Sequence, residues 1–121
     1  MHEVGIIEST LDVVRREAAR HGAAAVTRVV LRIGALSGAE PDALRFAFEA
    51  VRPGTVAADA ELEIELVPAR AHCAACAADF TVEHGFLCAC PRCDALSGDL
   101  RAGRELELAR LEFTAAPSAH A

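Results

Sequence analysis

The first apolar residues of the chain recur at intervals of three and four positions. This spacing places one apolar stripe along an amphipathic helix, and it is made by Val4, Ile7, Leu11, Val14 and Ala18. Gly22 then suits the left-handed position that follows many helix ends. The pattern therefore predicts a first helix over residues 3–21.

Three later segments alternate between apolar and polar residues, which is the period of a half-buried strand. They cover residues 26–33, 61–67 and about 104–113. In the last segment the alternation changes phase near Ala109, which predicts a bulge or bend there. The chain is therefore expected to form three main strands.

A second helix is predicted between the first two strands. Pro41 suits the first turn of a helix, and the apolar residues Leu44, Phe48 and Val51 follow at helical spacing. Proline and glycine at positions 53 and 54 would stop the helix. We therefore expect a helix over residues 41–51.

The polar faces of the strands carry unlike charges. Arg28 and Arg32 lie on the first strand, whereas the other two carry glutamates, namely Glu61, Glu63, Glu65, Glu105 and Glu107. Because like charges directly opposite one another are destabilising, the arginine strand is expected to neighbour at least one glutamate strand. The complete strand order stays open.

These elements predict an α+β fold in which two helices cover one face of a three-stranded sheet. All five cysteines fall between the second and third strands, so a small module is expected to interrupt this domain. We assign residues 1–69 and 104–113 to the α+β domain and residues 70–103 to the inserted module. Residues 114–121 are expected to form a disordered tail.

Length and charge narrow the classes of function. The 121 residues fit one modest domain, and the net charge of −6 gives no basic face for nucleic acid. No apolar run approaches the roughly 18 residues of a membrane span, and the acidic start lacks the basic region of a signal peptide. We therefore expect a cytoplasmic protein without membrane or nucleic-acid partners.

Two Cys-x-x-Cys pairs carry the strongest chemical signal. Cys73 and Cys76 are separated from Cys90 and Cys93 by thirteen residues, close to the spacing of a four-thiolate zinc site. So small a segment has little core of its own and would depend on metal to fold. A redox role is disfavoured, because neither pair lies in a βαβ unit typical of thioredoxin-like motifs.

Two neighbouring residues are candidate accessory groups. Three roles are possible for Cys88, namely a spare metal ligand, a redox thiol or a small apolar residue, and we favour the last. His72 directly precedes Cys73 and could replace a thiolate under acid, although an ordinary surface histidine is the default reading.

His2 and the chain terminus form a second candidate metal site. A terminal amine, two backbone nitrogens and an imidazole can enclose a metal in square-planar geometry, which suits Ni(II) or Cu(II). Since any protein with histidine at this position has the same atoms, the spacing alone leaves a solvated terminal histidine as the alternative.

Taken in order, several motifs resemble those of the HypA/HybF family of hydrogenase nickel incorporation proteins. They are Met-His-Glu at the start, the arginine-bearing strand that ends in Ile33-Gly34-Ala35-Leu36-Ser37, and the two cysteine pairs, the second being Cys90-Pro-x-Cys93. The similarity covers about residues 1–113. The family often has Ser at position 5 and Gly at position 94, where this chain has Gly5 and Asp94.

The resemblance implies a nickel-binding α+β domain with an inserted zinc domain. It implies nickel at the N-terminus, with His2 as the side-chain ligand, Met1 and Glu3 as sources of backbone nitrogen, and the Glu3 carboxylate as an additional candidate. It implies structural zinc on the four paired cysteines. It further implies delivery of nickel to the [NiFe] hydrogenase large subunit together with a HypB-type GTPase, and in some organisms to urease.

We therefore interpret the chain as a nickel metallochaperone and not as an enzyme. Four thiolates would close the zinc tetrahedron and leave no position for a catalytic water. The alternative is a zinc-ribbon module for protein or nucleic-acid binding, without a nickel function. Four arginines around the ribbon support it, but acidic residues are interleaved with them.

Overall fold

The computed structural model describes residues 2–83 and 88–114, which contain two helices and six strands. In chain order these are α1 (His2–Arg20), β1 (Ala25–Gly34), α2 (Pro41–Val51), β2 (Glu61–Val67), β3 (Arg70–Cys73), β4 (Ala78–Thr81), β5 (Leu100–Ala102) and β6 (Leu106–Thr114). This confirms the predicted α+β class.

Helix α1 buries the apolar stripe that its sequence predicts. Four of its side chains are buried, namely Ile7, Leu11, Val14 and Ala18. Gly22 has a φ of 64°, and the amide of Ala23 donates to the carbonyl of Ala18 at 2.9 Å, so the chain turns away in the left-handed conformation that glycine favours. The helix begins and ends one residue earlier than predicted.

Helix α2 has the bounds that the sequence predicts. Glu40 caps its start, since its carboxylate accepts a hydrogen bond of 3.0 Å from the amide of Asp42. Pro41 occupies the first turn, where its missing N–H costs no hydrogen bond. Leu44, Ala47 and Phe48 form its buried face.

The larger sheet has the strand order β2-β1-β6. Strand β1 runs parallel to β2, because Arg28 contacts Glu63 while Ala35, further along, donates to the carbonyl of Val67. It runs antiparallel to β6, where Thr27 bonds Glu112 and Gly34 bonds Glu105. The arginine strand thus lies between two glutamate strands, which confirms the predicted pairing.

The smaller sheet has the order β4-β3-β5, and both pairs are antiparallel. The register with β4 aligns His72 with Asp79 and Cys73 with Ala78. The register with β5 shifts by one residue between Arg70 and Ala71. A small apolar cluster of Ala71, Cys73, Phe80 and Cys90 is buried beside this sheet.

The chain divides into two compact units. One contains residues 1–31, 39–65 and 107–121, and the other contains residues 32–38 and 66–106. Thr114 ends β6, and the remainder of the predicted tail, residues 115–121, lies outside the described residues. Neither helix is both long and apolar enough to cross a membrane.

Candidate metal centres

The four paired cysteines form one cluster. Their sulfur atoms all lie within 4.8 Å of one another, with 3.6 Å between Cys73 and Cys93 and 3.9 Å between Cys76 and Cys90. A tetrahedral zinc with Zn–S bonds of about 2.3 Å places its ligands about 3.8 Å apart. The donor set and its spacing therefore fit a four-coordinate zinc ion.

Each Cys-x-x-Cys pair lies in a tight turn and is followed by a residue in the left-handed region. Ala77, directly after Cys76, has a φ of 53°, and Asp94, directly after Cys93, has a φ of 61°. The amide of Asp94 donates to the carbonyl of Cys90 at 2.8 Å, which closes the second turn. The sequence departs here from the glycine that such a conformation favours.

The thiols of Cys90 and Cys76 differ in acidity. The amide of Arg92 donates to the Cys90 sulfur at 3.4 Å and lowers the pKa of that thiol to about 7. Hydrogen bonding with Cys93 and Cys90 instead raises the pKa of Cys76 to about 12. The Cys90 thiol is therefore more acidic than the Cys76 thiol, and a bound cation would favour the loss of thiol protons.

Neither candidate accessory residue belongs to the group of four clustered sulfurs. Cys88 is half-buried and packs against the apolar cluster that contains Cys73, Phe80 and Cys90. His72 and Cys73 are consecutive on β3, so their side chains point to opposite faces of the sheet. The His72 ring is 2.7 Å from Asp79, and this contact lowers the pKa of the carboxyl.

The candidate nickel residues lie at the start of α1. His2 is the first residue of the helix and its side chain is 58% exposed, whereas the Glu3 side chain is only 12% exposed. Their side chains are 3.7 Å apart at the nearest nitrogen and oxygen. Met1 lies outside the described residues.

Glu40 is a neighbour of this site that sequence reasoning did not identify. Its amide donates a hydrogen bond of 3.1 Å to the Glu3 carboxylate, and this bond is the main cause of a lowered Glu3 pKa. The contact joins the start of α1 to the start of α2. The signal in the sequence was Pro41, which marks Glu40 as the residue that caps a helix.

Comparison with known proteins gives consistent results across sequence and structure. Residues 1–113 match a family model described as hydrogenase/urease nickel incorporation, metallochaperone, hypA. Hydrogenase maturation factors HypA from a Picosynechococcus species and from Chloroflexus aurantiacus are each 45% identical to the chain over 112 residues. Each alignment covers 93% of this chain and 98% of the relative.

Two solved structures share the fold. The solution structure of the Ni metallochaperone HypA from Helicobacter pylori matches with a TM-score of 0.65 and 26% identity, covering 93% of this chain and 97% of that one. Another solution structure, of HypA protein, matches with a TM-score of 0.68 and 27% identity, covering 95% and 98%.

Proposed function

Because the chain belongs to the HypA family of hydrogenase and urease nickel incorporation proteins, we propose that it captures Ni(II) at its N-terminus and delivers it for maturation of [NiFe] hydrogenase. The observation that carries this proposal is the exposed His2 at the start of α1, beside a Glu3 carboxylate held by the next helix.

The proposed nickel ligands are the His2 imidazole and nitrogen atoms of the backbone at Met1, His2 and Glu3. The first amides of an α-helix have no partner within the helix, so metal coordination there sacrifices no helical hydrogen bond. A bare dication would oppose the positive end of the helix dipole. Loss of two amide protons on binding makes the four-nitrogen assembly roughly neutral and removes this penalty.

In this proposal Glu3 contributes mainly through its position. Its carboxylate already accepts a hydrogen bond from the amide of Glu40, which fixes the first turn of α1 against the start of α2. A ligand set with one exposed imidazole and a chain end can rearrange readily. That property suits a site that must release its cargo to another protein.

We assign the second metal site, on Cys73, Cys76, Cys90 and Cys93, to structural zinc within a zinc domain of residues 70–103. Zinc would stabilise a module whose buried apolar cluster contains four of its described residues. With four thiolates bound, the metal keeps no open position. We accordingly expect a metallochaperone that catalyses no reaction of its own.

The proposed partners are a HypB-type GTPase and the large subunit of [NiFe] hydrogenase in the cytoplasm, with urease as a further recipient. To test delivery, nickel-loaded protein would be mixed with immature hydrogenase large subunit, and nickel in the separated large subunit would be measured. We expect transfer from wild-type protein and none from His2→Ala. Equal nickel in the large subunit with either protein would contradict the proposal.

Nickel capture itself is tested by calorimetric titration of Ni(II) into zinc-loaded protein. His21→Ala is a matched control, because His21 directly follows the opposite end of α1 and its side chain, at 51%, is similarly exposed. We expect His2→Ala to weaken binding by more than the roughly 10–100-fold typical of losing an outer-shell partner. His21→Ala should bind as the wild type does, and an equal loss in both variants would refute the assignment.

A further inference from the structure

Strand β2 forms an open edge of the larger sheet. In the strand order β2-β1-β6 it pairs with β1 on one side, and no further described strand pairs with it on the other. The carbonyl of Val67 points to the β1 side of the strand, where it accepts a hydrogen bond of 2.9 Å from the amide of Ala35, the residue after β1. Since backbone groups alternate in direction along a parallel strand, those of Leu62 and Ile64 point outward from the sheet.

The outer face of this edge carries excess negative charge. Arg28 contacts three carboxylates at once, at 2.9 Å from Glu63, 3.6 Å from Glu61 and 3.5 Å from Glu112. Glu112 has a second cation in Arg110 at 3.3 Å. Glu61 and Glu63 therefore share one guanidinium with a third carboxylate, and the Glu61 side chain is 76% exposed.

The opposite face of the same edge is apolar and incompletely covered. Leu62 and Ile64 are half-buried, whereas Val29 and Leu31 on the neighbouring strand are 0% and 2% exposed. One more strand beside β2 would shield these two side chains from water. The edge thus offers backbone groups, a row of carboxylates and an apolar strip, each with the period of a strand.

We propose that the open edge of β2 binds an extended segment of a partner protein that carries Arg or Lys at every second position. The basic side chains would lie beside Glu61 and Glu63, and the intervening apolar side chains would cover Leu62 and Ile64. A second copy of β2 fits poorly, because glutamates would then face glutamates across the new strand pair. This site is independent of nickel capture.

The test uses zinc-loaded protein and a fluorescein-labelled peptide, Val-Arg-Val-Arg-Val-Arg-Val, with binding followed by fluorescence anisotropy. A peptide with N-methyl groups on all of its amides keeps the charge but cannot donate backbone hydrogen bonds from either edge. We expect the methylated peptide to bind at least about tenfold more weakly because the backbone hydrogen bonds are lost. We expect no binding of a peptide with Glu in place of Arg.

Protein variants locate the binding surface. Glu61→Gln/Glu63→Gln should weaken binding about tenfold through lost charge complementarity, whereas Glu8→Gln/Glu49→Gln changes the net charge equally and should have no effect. Amide hydrogen exchange at Leu62 and Ile64 should slow when the peptide is bound. The proposal fails if the arginine peptide and its N-methylated form bind alike, or if both double variants lose affinity equally. It also fails if the amides of Leu62 and Ile64 exchange as fast with the peptide as without it.

Discussion

Replacing Ala77 with glycine should stabilise the cysteine module and so increase its affinity for zinc. Ala77 is exposed and has a φ of 53°, so it adopts the left-handed conformation while its methyl group buries little surface. That conformation costs a residue with a Cβ roughly 1–2 kcal/mol. Glycine removes this strain but brings a backbone entropy cost of roughly 0.5–1 kcal/mol. The expected net gain is therefore about 0.5–1 kcal/mol.

Since we propose that zinc binding stabilises the fold of this small module, this gain should appear as zinc affinity. A gain of about 0.5–1 kcal/mol corresponds to roughly two- to fivefold tighter binding. Competition with a chromophoric zinc chelator at fixed pH measures the change. Asp94→Gly should gain less, since aspartate tolerates the left-handed region better than alanine does.

The matched control is Ala75→Gly. Ala75 is exposed in the same turn as Ala77 but has no positive φ, so glycine there adds entropy without relieving strain. We expect Ala75→Gly to bind zinc more weakly than the wild type. If both variants tighten binding, or if Ala77→Gly weakens it, the reasoning from backbone strain is refuted.

Three further predictions concern the packing at Gly34, the ion pairs of Arg28 and the proposed zinc site. Gly34→Ala should lower the free energy of unfolding in urea by roughly 3 kcal/mol, because a Cβ there would overlap the carbonyl of Gly103. Gly98→Ala should change it little, because a Cβ added there would meet no atom within 4 Å. Arg28→Met should lower the free energy of unfolding by about 1 kcal/mol at low salt and by less in 1 M NaCl. Arg45→Met loses one contact within its helix and should lower the free energy of unfolding by only a few tenths of a kcal/mol, on the order of one exposed helical pair. Zinc removal by a chelator should abolish slow amide exchange in β3–β5 and leave the helical circular dichroism largely intact; full retention of exchange protection would contradict a metal-dependent module.

The larger elements could be predicted because their signals are local and periodic. The bounds of α2 follow from Pro41 at its start and from the proline and glycine beyond its end. The stripe of α1 matches burial along one helix, and β2 is recognised by the alternation of apolar and polar residues in its sequence. The two arginines of β1 predict that it pairs with at least one glutamate strand, whereas its position between two of them is seen only in the structure.

The remaining features depend on contacts between distant residues. Strands β3, β4 and β5 have only three or four residues each, too few to show a period. The contact of His72 with Asp79 requires the register of a hairpin that neither residue reveals alone. The link from Glu40 to Glu3 joins two helix starts 37 residues apart. Composition could identify candidate ligands but could not show which groups hold them in place.

The most direct measurement for the central claim compares Ni(II) binding by two forms of the protein that differ only at the N-terminus. Zinc-loaded protein that begins with a free Met1 amine and a form with two extra residues before Met1 would be titrated in parallel by calorimetry. We predict stoichiometric binding only to the form with a free Met1 amine, because the extension removes the terminal amine from the site. Equal binding to both forms would contradict nickel capture by the amine and His2.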